Sequence, residues 1–440
     1  MPDATLILPR WIVPIEPEAA VLEGSAVAVR GTRIEAVLET QAARARYPAA
    51  DVIELPEHVL LPGLVNAHTH AAMTLMRGLA DDLPLMRWLS EHIWPVEMRH
   101  VTPEFVRDGT RLACAEMLRG GITCFNDMYF YPEAALEAAL AAGMRAVVGM
   151  IVVDFPTAYA SDPDDYLQKG LALRDRYRDD PRASFCLAPH APYTVSDDVL
   201  RKVVMLAGEL DVPIHIHLHE TDDEVARSVS EHGVRPLERL RKLGLLGPNL
   251  IAVHAVHLTE DEILLLFRHN ASVVHCPSSN LKLASGFAPA AQLLAKGVNV
   301  ALGTDGAASN NRLDLFGEMR LAALLGKAVA RNAEAIPAHS ALRAATLGGA
   351  TALGLDDRIG SITAGKDADL IAVRLAGPEL IPCYDPVSHL VYAAGREHVS
   401  HVWVRGELLL EGGALRDSLT AGLESHCDLW QNLIKRGPGS

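Results

Sequence analysis

The chain has no run of about 18 apolar residues, so no segment reads as a membrane span. Basic charge is scarce as well: 40 Lys and Arg stand against 55 Asp and Glu, for a net charge of -15, and no local basic cluster offsets it. That balance disfavours nucleic acid or an anionic membrane as a partner and suits a small, near-neutral substrate. The six cysteines, Cys114, Cys124, Cys186, Cys276, Cys383 and Cys427, are scattered without a CxxC pair. This excludes a disulfide frame or a zinc ribbon and reads as reduced, mostly buried thiols. The N-terminal MPDATLILPRW has neither a basic region ahead of an apolar core nor a cleavage-site pattern, from which a cytoplasmic location is expected.

What is present is a chain of 440 residues, 49% hydrophobic and 22% charged, longer than one ordinary core organises. Residues 1 to about 60 read as short strands, with AVAVRGTRIEAVLE as two half-buried runs around a tight Arg30-Gly31-Thr32 turn. GKDADLIAVRL and HVSHVWVRGELLLEGG repeat that style near the other end. Each set alone leaves unpaired strand edges, so pairing the two into one small β-sandwich domain, residues 1–62 with 365–440, is expected.

Between them, over residues 63–364, strands alternate with helices. VLLPGLVNAHTH, GITCFNDMYF, MRAVVGMIVVDF, SFCLAPHAPY, PIHIHLHE, LIAVHAVHL, SVVHCP and VNVALGTDG are the candidate strands. Helix signals separate them: Gly120-Gly121 and Gly143 as stops, Ser196 as a start, and Thr259 with Glu262 as a capping box. The expected class is α/β, a (β/α)8 TIM barrel, whose functional groups sit at the C-terminal ends of the strands. The polar residues comply: His68 and His70 end the first candidate strand, His190 the fourth, His217 and Glu220 the fifth, His254 the sixth and Asp305 the eighth.

In PGLVNAHTH the two histidines stand two apart, so on an extended strand both imidazoles face one point. Three histidines and an aspartate from different strands suit Zn²⁺ with a position left for water, and such an ion makes a nucleophile of that water at neutral pH. Glu220 is placed to pass a proton to a ring nitrogen, Asp305 to take the water's proton and hand it to the leaving group, and His254 to hydrogen-bond the attacking oxygen. His215, His217 and His219 alternate, so spacing alone leaves the ligand open. His217 is preferred because His219 directly precedes Glu220, with which it would point the opposite way. His257 competes with His254, and Asp305 in GTDG could be only a turn residue.

PGLVNAHTHAAMTLMRGLADDLPLMRWL, HLHET, VHAVHLTEDE, CPSSNLKLASGFAP and GTDGAASNN together resemble the amidohydrolase superfamily, in its branch of 5'-methylthioadenosine and S-adenosylhomocysteine deaminases. The resemblance implies a metal-dependent hydrolase that deaminates an adenine ring, with one Zn²⁺ per subunit on His68, His70, His217 and Asp305, and Glu220, His254 and Asp305 as catalytic residues. No lysine ends the fourth strand, LAPHAP, where two-metal relatives carry one, so a single ion is expected. The likeness also implies that Glu97 meets the ribose hydroxyls, Trp88 walls the nucleoside and His190 touches sugar or purine, in a homo-oligomer. No Arg or Lys occurs from Ala146 to Gln168 to meet a homocysteine carboxylate, which favours methylthioadenosine, with S-adenosylhomocysteine or adenosine secondary. Alternative expectations on the same scaffold are a triazine chlorohydrolase, a guanine or cytosine deaminase, and a non-catalytic barrel. Cysteine-ligated nucleobase deaminases are excluded, since their HxE and PCxxC signature is absent.

Overall fold

The computed structural model describes residues 4–436. Eight strands, Leu64–Thr69, Ile122–Asp127, Arg145–Val152, Ala183–Pro189, Ile214–Leu218, Leu250–His254, Ser272–His275 and Asn299–Leu302, pair in parallel, each with the next in chain order. Nearly every residue in them is buried. Such runs are what a parallel sheet needs when side chains fill one face and helices cover the other. All eight expected strands are therefore present, as a nearly closed barrel.

The seam between the first and eighth strands is made in an unusual way. Asp305 N donates to His68 O at 3.1 Å, Thr304 N donates to Asn66 Oδ1 at 3.0 Å, and Asn66 Nδ2 returns a bond to Thr304 Oγ1 at 2.8 Å. Thr69 Oγ1 adds a bond to Asp305 O at 3.0 Å. The buried Asn66 side chain thus does what a backbone peptide does in an ordinary ladder. Gly303 permits the approach, because a Cβ there would lie 2.9 Å from the His68 Cβ.

At the opposite end of the barrel, the helix Leu347–Ala352 and the segment through Ile359 close the interior, packing Ala350, Leu353, Leu355 and Ile359 against Val65, Cys124 and neighbouring strand residues. Helix starts follow the sequence signals in part. Thr259 and Glu262 form a reciprocal capping box ahead of Glu260–Arg268, whereas Ser196 occupies the N-cap of Asp197–Leu210 without a side-chain capping bond.

Strands from both ends of the chain form a second, mixed sheet of nine strands. Its centre is Asp51–Pro62, parallel to Thr5–Ile12 on one side and antiparallel to Leu370–Arg374 on the other. The hairpin of Ser25–Arg30 and Arg33–Glu39 turns at Gly31, whose φ is 58°. A bridge between Arg33 and Asp367 folds the sheet over an apolar interior that includes Ile7, Val27, Ile34, Leu60, Leu370 and Trp403. The late helix Leu423–Lys435 lies on the barrel helix Pro103–Arg119, where Trp430 meets Phe105 edge-on at 5.1 Å and donates to Asp108 at 2.9 Å. No helix among the described residues is long and apolar enough to cross a membrane.

The two sheets are pinned by charge. Arg145, at the start of the third barrel strand and fully buried, pairs with Asp367 at 2.8 Å and Asp369 at 3.0 Å just before Leu370–Arg374. Removing one partner of such a buried cluster strands the others without solvent. Arg145→Ala is therefore expected to lower unfolding stability by about 3–5 kcal/mol, read by denaturant titration. A loss under 1 kcal/mol would show that Arg358 and Arg405, which also reach Asp367, suffice.

Candidate active site

The strand ends converge. His68 and His70 lie at the top of the first strand, and their Nε2 atoms face Asp305 Oδ1 from 3.4 and 3.2 Å. The His217 ring lies 4.9 Å from His68 and 5.5 Å from His70, centre to centre. His254 lies parallel to His217 at 5.5 Å. Two overlapping groups, His68 with His70 and Asp305, and His68 with His217 and His254, have ligand atoms within 4.8 Å of one another.

The tautomers are set from behind, where each ring turns its other nitrogen to a fixed partner. His70 Nδ1 donates to Met128 O at 2.5 Å and His217 Nδ1 to His190 O at 2.7 Å, so both Nε2 lone pairs face the centre. His68 Nδ1 meets His215 Nε2 at 3.1 Å, which leaves His68 Nε2 buried with no hydrogen-bond partner. Burial holds His68 down to about 4 and His217 well below the usual histidine range. Neutral rings of this kind are what a metal needs.

Asp305 differs in sign. Burial would raise its carboxyl, yet His68 and His70 facing it hold it well below the usual range. In return, burial opposes a charge on His70, but the Asp305 carboxylate lifts it to about 9. The buried anion thus calls for a cation in this spot, and a divalent ion fits the orphaned lone pair, the neutral His68 and His217 rings and the carboxylate, and would displace the proton that Asp305 favours on His70.

Around this cluster several strand ends bend sharply. His219, His254, Ala255 and Asp305 have φ of 54°, 69°, 48° and 60°, a left-handed conformation unfavourable for side-chain-bearing residues. In His219 the bend breaks the alternation of its strand, sending the ring to Leu237 N at 3.1 Å and toward Glu262, away from the cluster. His215 lies deeper as the partner of His68, and His217 alone of the three faces the centre. His257 is turned outward to Asp222 and Ser285 O. Glu220 is buried, which raises its carboxyl, and its Oε2 lies 3.9 Å from His254 Nε2. Glu224 fixes this corner by accepting from His219 N at 2.9 Å and Glu220 N at 2.8 Å.

A cavity of about 590 Å³ opens over the cluster, with His70, His217, Glu220, His254 and Asp305 at its floor. Glu97, Trp88 and His190 all line it. Trp88 is held by Nε1 donating to Ala80 O at 3.1 Å, and His190 by Thr194 at 3.1 Å. Glu97 accepts from Tyr129 Oη at 2.7 Å, while burial pushes its carboxyl up to about 7. The outer wall is apolar and aromatic, with Leu85, Trp94, Phe155 and Tyr159, and no Lys or Arg is among the described lining residues. Tyr129 and Glu224 are not among the sequence candidates, whereas His215 is, and it stands as the hydrogen-bonded neighbour of the candidate ligand His68 rather than as a ligand. Tyr129 stands two residues beyond the second strand, a barrel-top position of the kind that holds the other site residues.

The model of the amidohydrolase family matches residues 59–409. The chain is 48% identical to a 5-methylthioadenosine/S-adenosylhomocysteine deaminase of Saccharophagus degradans, covering 99% of this chain and 97% of that one. It is 49% identical to the protein of the same name from Teredinibacter turnerae, over 96% of each. Among solved structures, an adenosine deaminase from Xanthomonas campestris with bound zinc superposes with a TM-score of 0.97, at 54% identity and 99% coverage of both chains. With barrel, strand-end cluster and relatives in accord, this chain belongs to the amidohydrolase family.

Proposed function

We propose that this protein is a zinc-dependent aminohydrolase that converts 5'-methylthioadenosine and water to 5'-methylthioinosine and ammonia. The observation that carries the reading is the pairing of a metal-type cluster with an aromatic cavity that holds a buried carboxylate, Glu97, away from the cluster and no Lys or Arg among its described lining residues. The names of the similar proteins support it.

In this reading His68, His70, His217 and Asp305 hold the ion. Bound there, zinc would supply Lewis acidity that makes a water in the site a nucleophile near neutral pH. The chain's own groups do the rest. Glu220, whose carboxyl burial raises, donates to the purine N1 and so makes C6 electrophilic. His254 accepts a hydrogen bond from the attacking water. Asp305 takes one proton of the water as the C6–O bond forms and passes it to the amino group, which leaves as ammonia when the C6–N bond breaks, while the remaining hydroxyl proton returns to Glu220 as the C6=O bond forms. Glu97 accepts from the two ribose hydroxyls, steadied by Tyr129, and Trp88 and His190 flank the nucleoside.

The neutral methylthio tail belongs against the apolar outer wall, where a zwitterionic homocysteine tail would lose water without gaining a counter-ion. Methylthioadenosine should therefore exceed S-adenosylhomocysteine in kcat/KM by at least about 10-fold, equivalent to about 1.4 kcal/mol. Comparable turnover of the two, followed by ammonia release, would overturn that preference. Replacement Glu220→Gln should lower kcat by about 10²–10⁴-fold with zinc content unchanged, since the proton donor is lost and no ligand is. The Glu97 carboxyl near 7 has a directional consequence: as pH falls below about 7 it takes up a proton and loses an acceptor. The KM for methylthioadenosine should rise across that range while the KM for free adenine stays flat, and a parallel rise in both would remove Glu97 from ribose binding.

A further inference from the structure

We propose that Ser279 and Asn280, neighbours on the short helix Pro277–Lys282, are positioning residues: Ser279 locks the Asp305 carboxylate and Asn280 selects the His254 tautomer. The inference rests on the reaction proposed above. Neither residue lines the cavity, so neither acts on substrate directly.

The placement follows from strand order. The helix continues the seventh strand, which lies between the sixth, carrying His254, and the eighth, leading to Asp305. Consecutive residues of a helix point about 100° apart, so adjacent side chains can reach to either side. Ser279 Oγ donates to Asp305 Oδ2 at 2.6 Å, and Asn280 Oδ1 accepts from His254 Nδ1 at 2.8 Å. Both residues are buried. The helix is itself pinned, by Ser278 N donating to Glu318 at 3.0 Å and Lys282 Nζ donating to Ala308 O at 3.1 Å and Asp81 at 2.5 Å.

Each bond has a chemical consequence. Asp305 Oδ2 receives Ser279 and also Ser309 Oγ at 2.9 Å, while Gly306 N holds Oδ1 at 2.7 Å. The carboxylate plane is thereby fixed with Oδ1 toward His68 and His70. With Asn280 Oδ1 accepting from Nδ1, His254 carries its proton on the far side of the ring. Its Nε2 then offers a lone pair to the O–H of an attacking water. The opposite tautomer would present an N–H to that O–H and orient the water wrongly. The Asn280 NH₂ is buried with no partner, so the bond to His254 is what this amide does in the core. A leucine of similar size would fill the space and remove the unpaired amide, but would leave the His254 Nδ1–H without its acceptor and so free the ring to change tautomer.

Nitrogen-15 NMR of the histidines in the full-length protein, with and without zinc, tests the tautomer directly. The expected spectrum has His254 protonated at Nδ1 and bare at Nε2, and a proton on Nε2 overturns the proposal. In kinetics with methylthioadenosine, Asn280→Leu should lower kcat about 10- to 100-fold with KM changed by less than about threefold. Asn280→Asp, which keeps an acceptor, should recover most of the loss. Ser279→Ala should speed zinc loss to a chelator about 10-fold, read optically without substrate. Wild-type kcat in Asn280→Leu, or wild-type zinc retention in Ser279→Ala, overturns the respective half. Where Asn280→Leu fails to fold, the wild-type spectrum and Asn280→Asp decide. Absence of ammonia release by the wild type would defeat the proposed reaction instead, leaving the spectrum to judge the tautomer.

Discussion

The site depends on one seam, where the end of the eighth strand is stitched to the end of the first. Asp305 N on His68 O, and the Asn66 amide bonded twice to Thr304, set the distance between a carboxylate and two imidazoles that are more than 230 residues apart in sequence. Gly303 is part of the same constraint, since any side chain there would meet His68. Shifting this contact by one residue would carry Asp305 out of line with the His68 and His70 rings it faces.

A second constraint is electrostatic. Placing Asp305, Glu220 and several histidines in a nearly dry pocket is unfavourable unless each charge is met. The carboxylates are handled differently: Asp305 is kept ionised by the rings facing it, whereas burial favours the proton on Glu220. Two acids of the same chemistry thus acquire opposite tasks from their surroundings. Fixed donors behind them, such as Tyr129 on Glu97, and acceptors such as Met128 O behind His70, keep the geometry from depending on the ligand.

Much of the barrel was legible because two periodicities alternate cleanly. Apolar runs end in a polar residue at each strand top, and glycine or capping residues separate them from the helices. The HIHLHE stretch shows the limit. Alternation made His215, His217 and His219 equivalent, and only the bend at His219, with its φ of 54°, removed it from the series. His215 then proved to be the partner of His68, a pairing across 147 residues that spacing within one strand does not encode. Ser279 and Asn280 stood in a quoted motif, yet short polar residues beside a proline read as an ordinary loop until their distant partners are seen.

From the sequence alone came the α/β class, the eight strands, the histidines and carboxylates at strand ends, and the pairing of both termini in one sheet. These are local patterns, or sums of local patterns, and chain order preserves them. Tertiary structure decided which nitrogen of each imidazole faces inward, which carboxyl is held down and which is raised, how the seam closes, and what lies behind the reacting groups. Those properties arise from burial and from partners brought together by folding, and neither is a function of neighbouring residues in the chain.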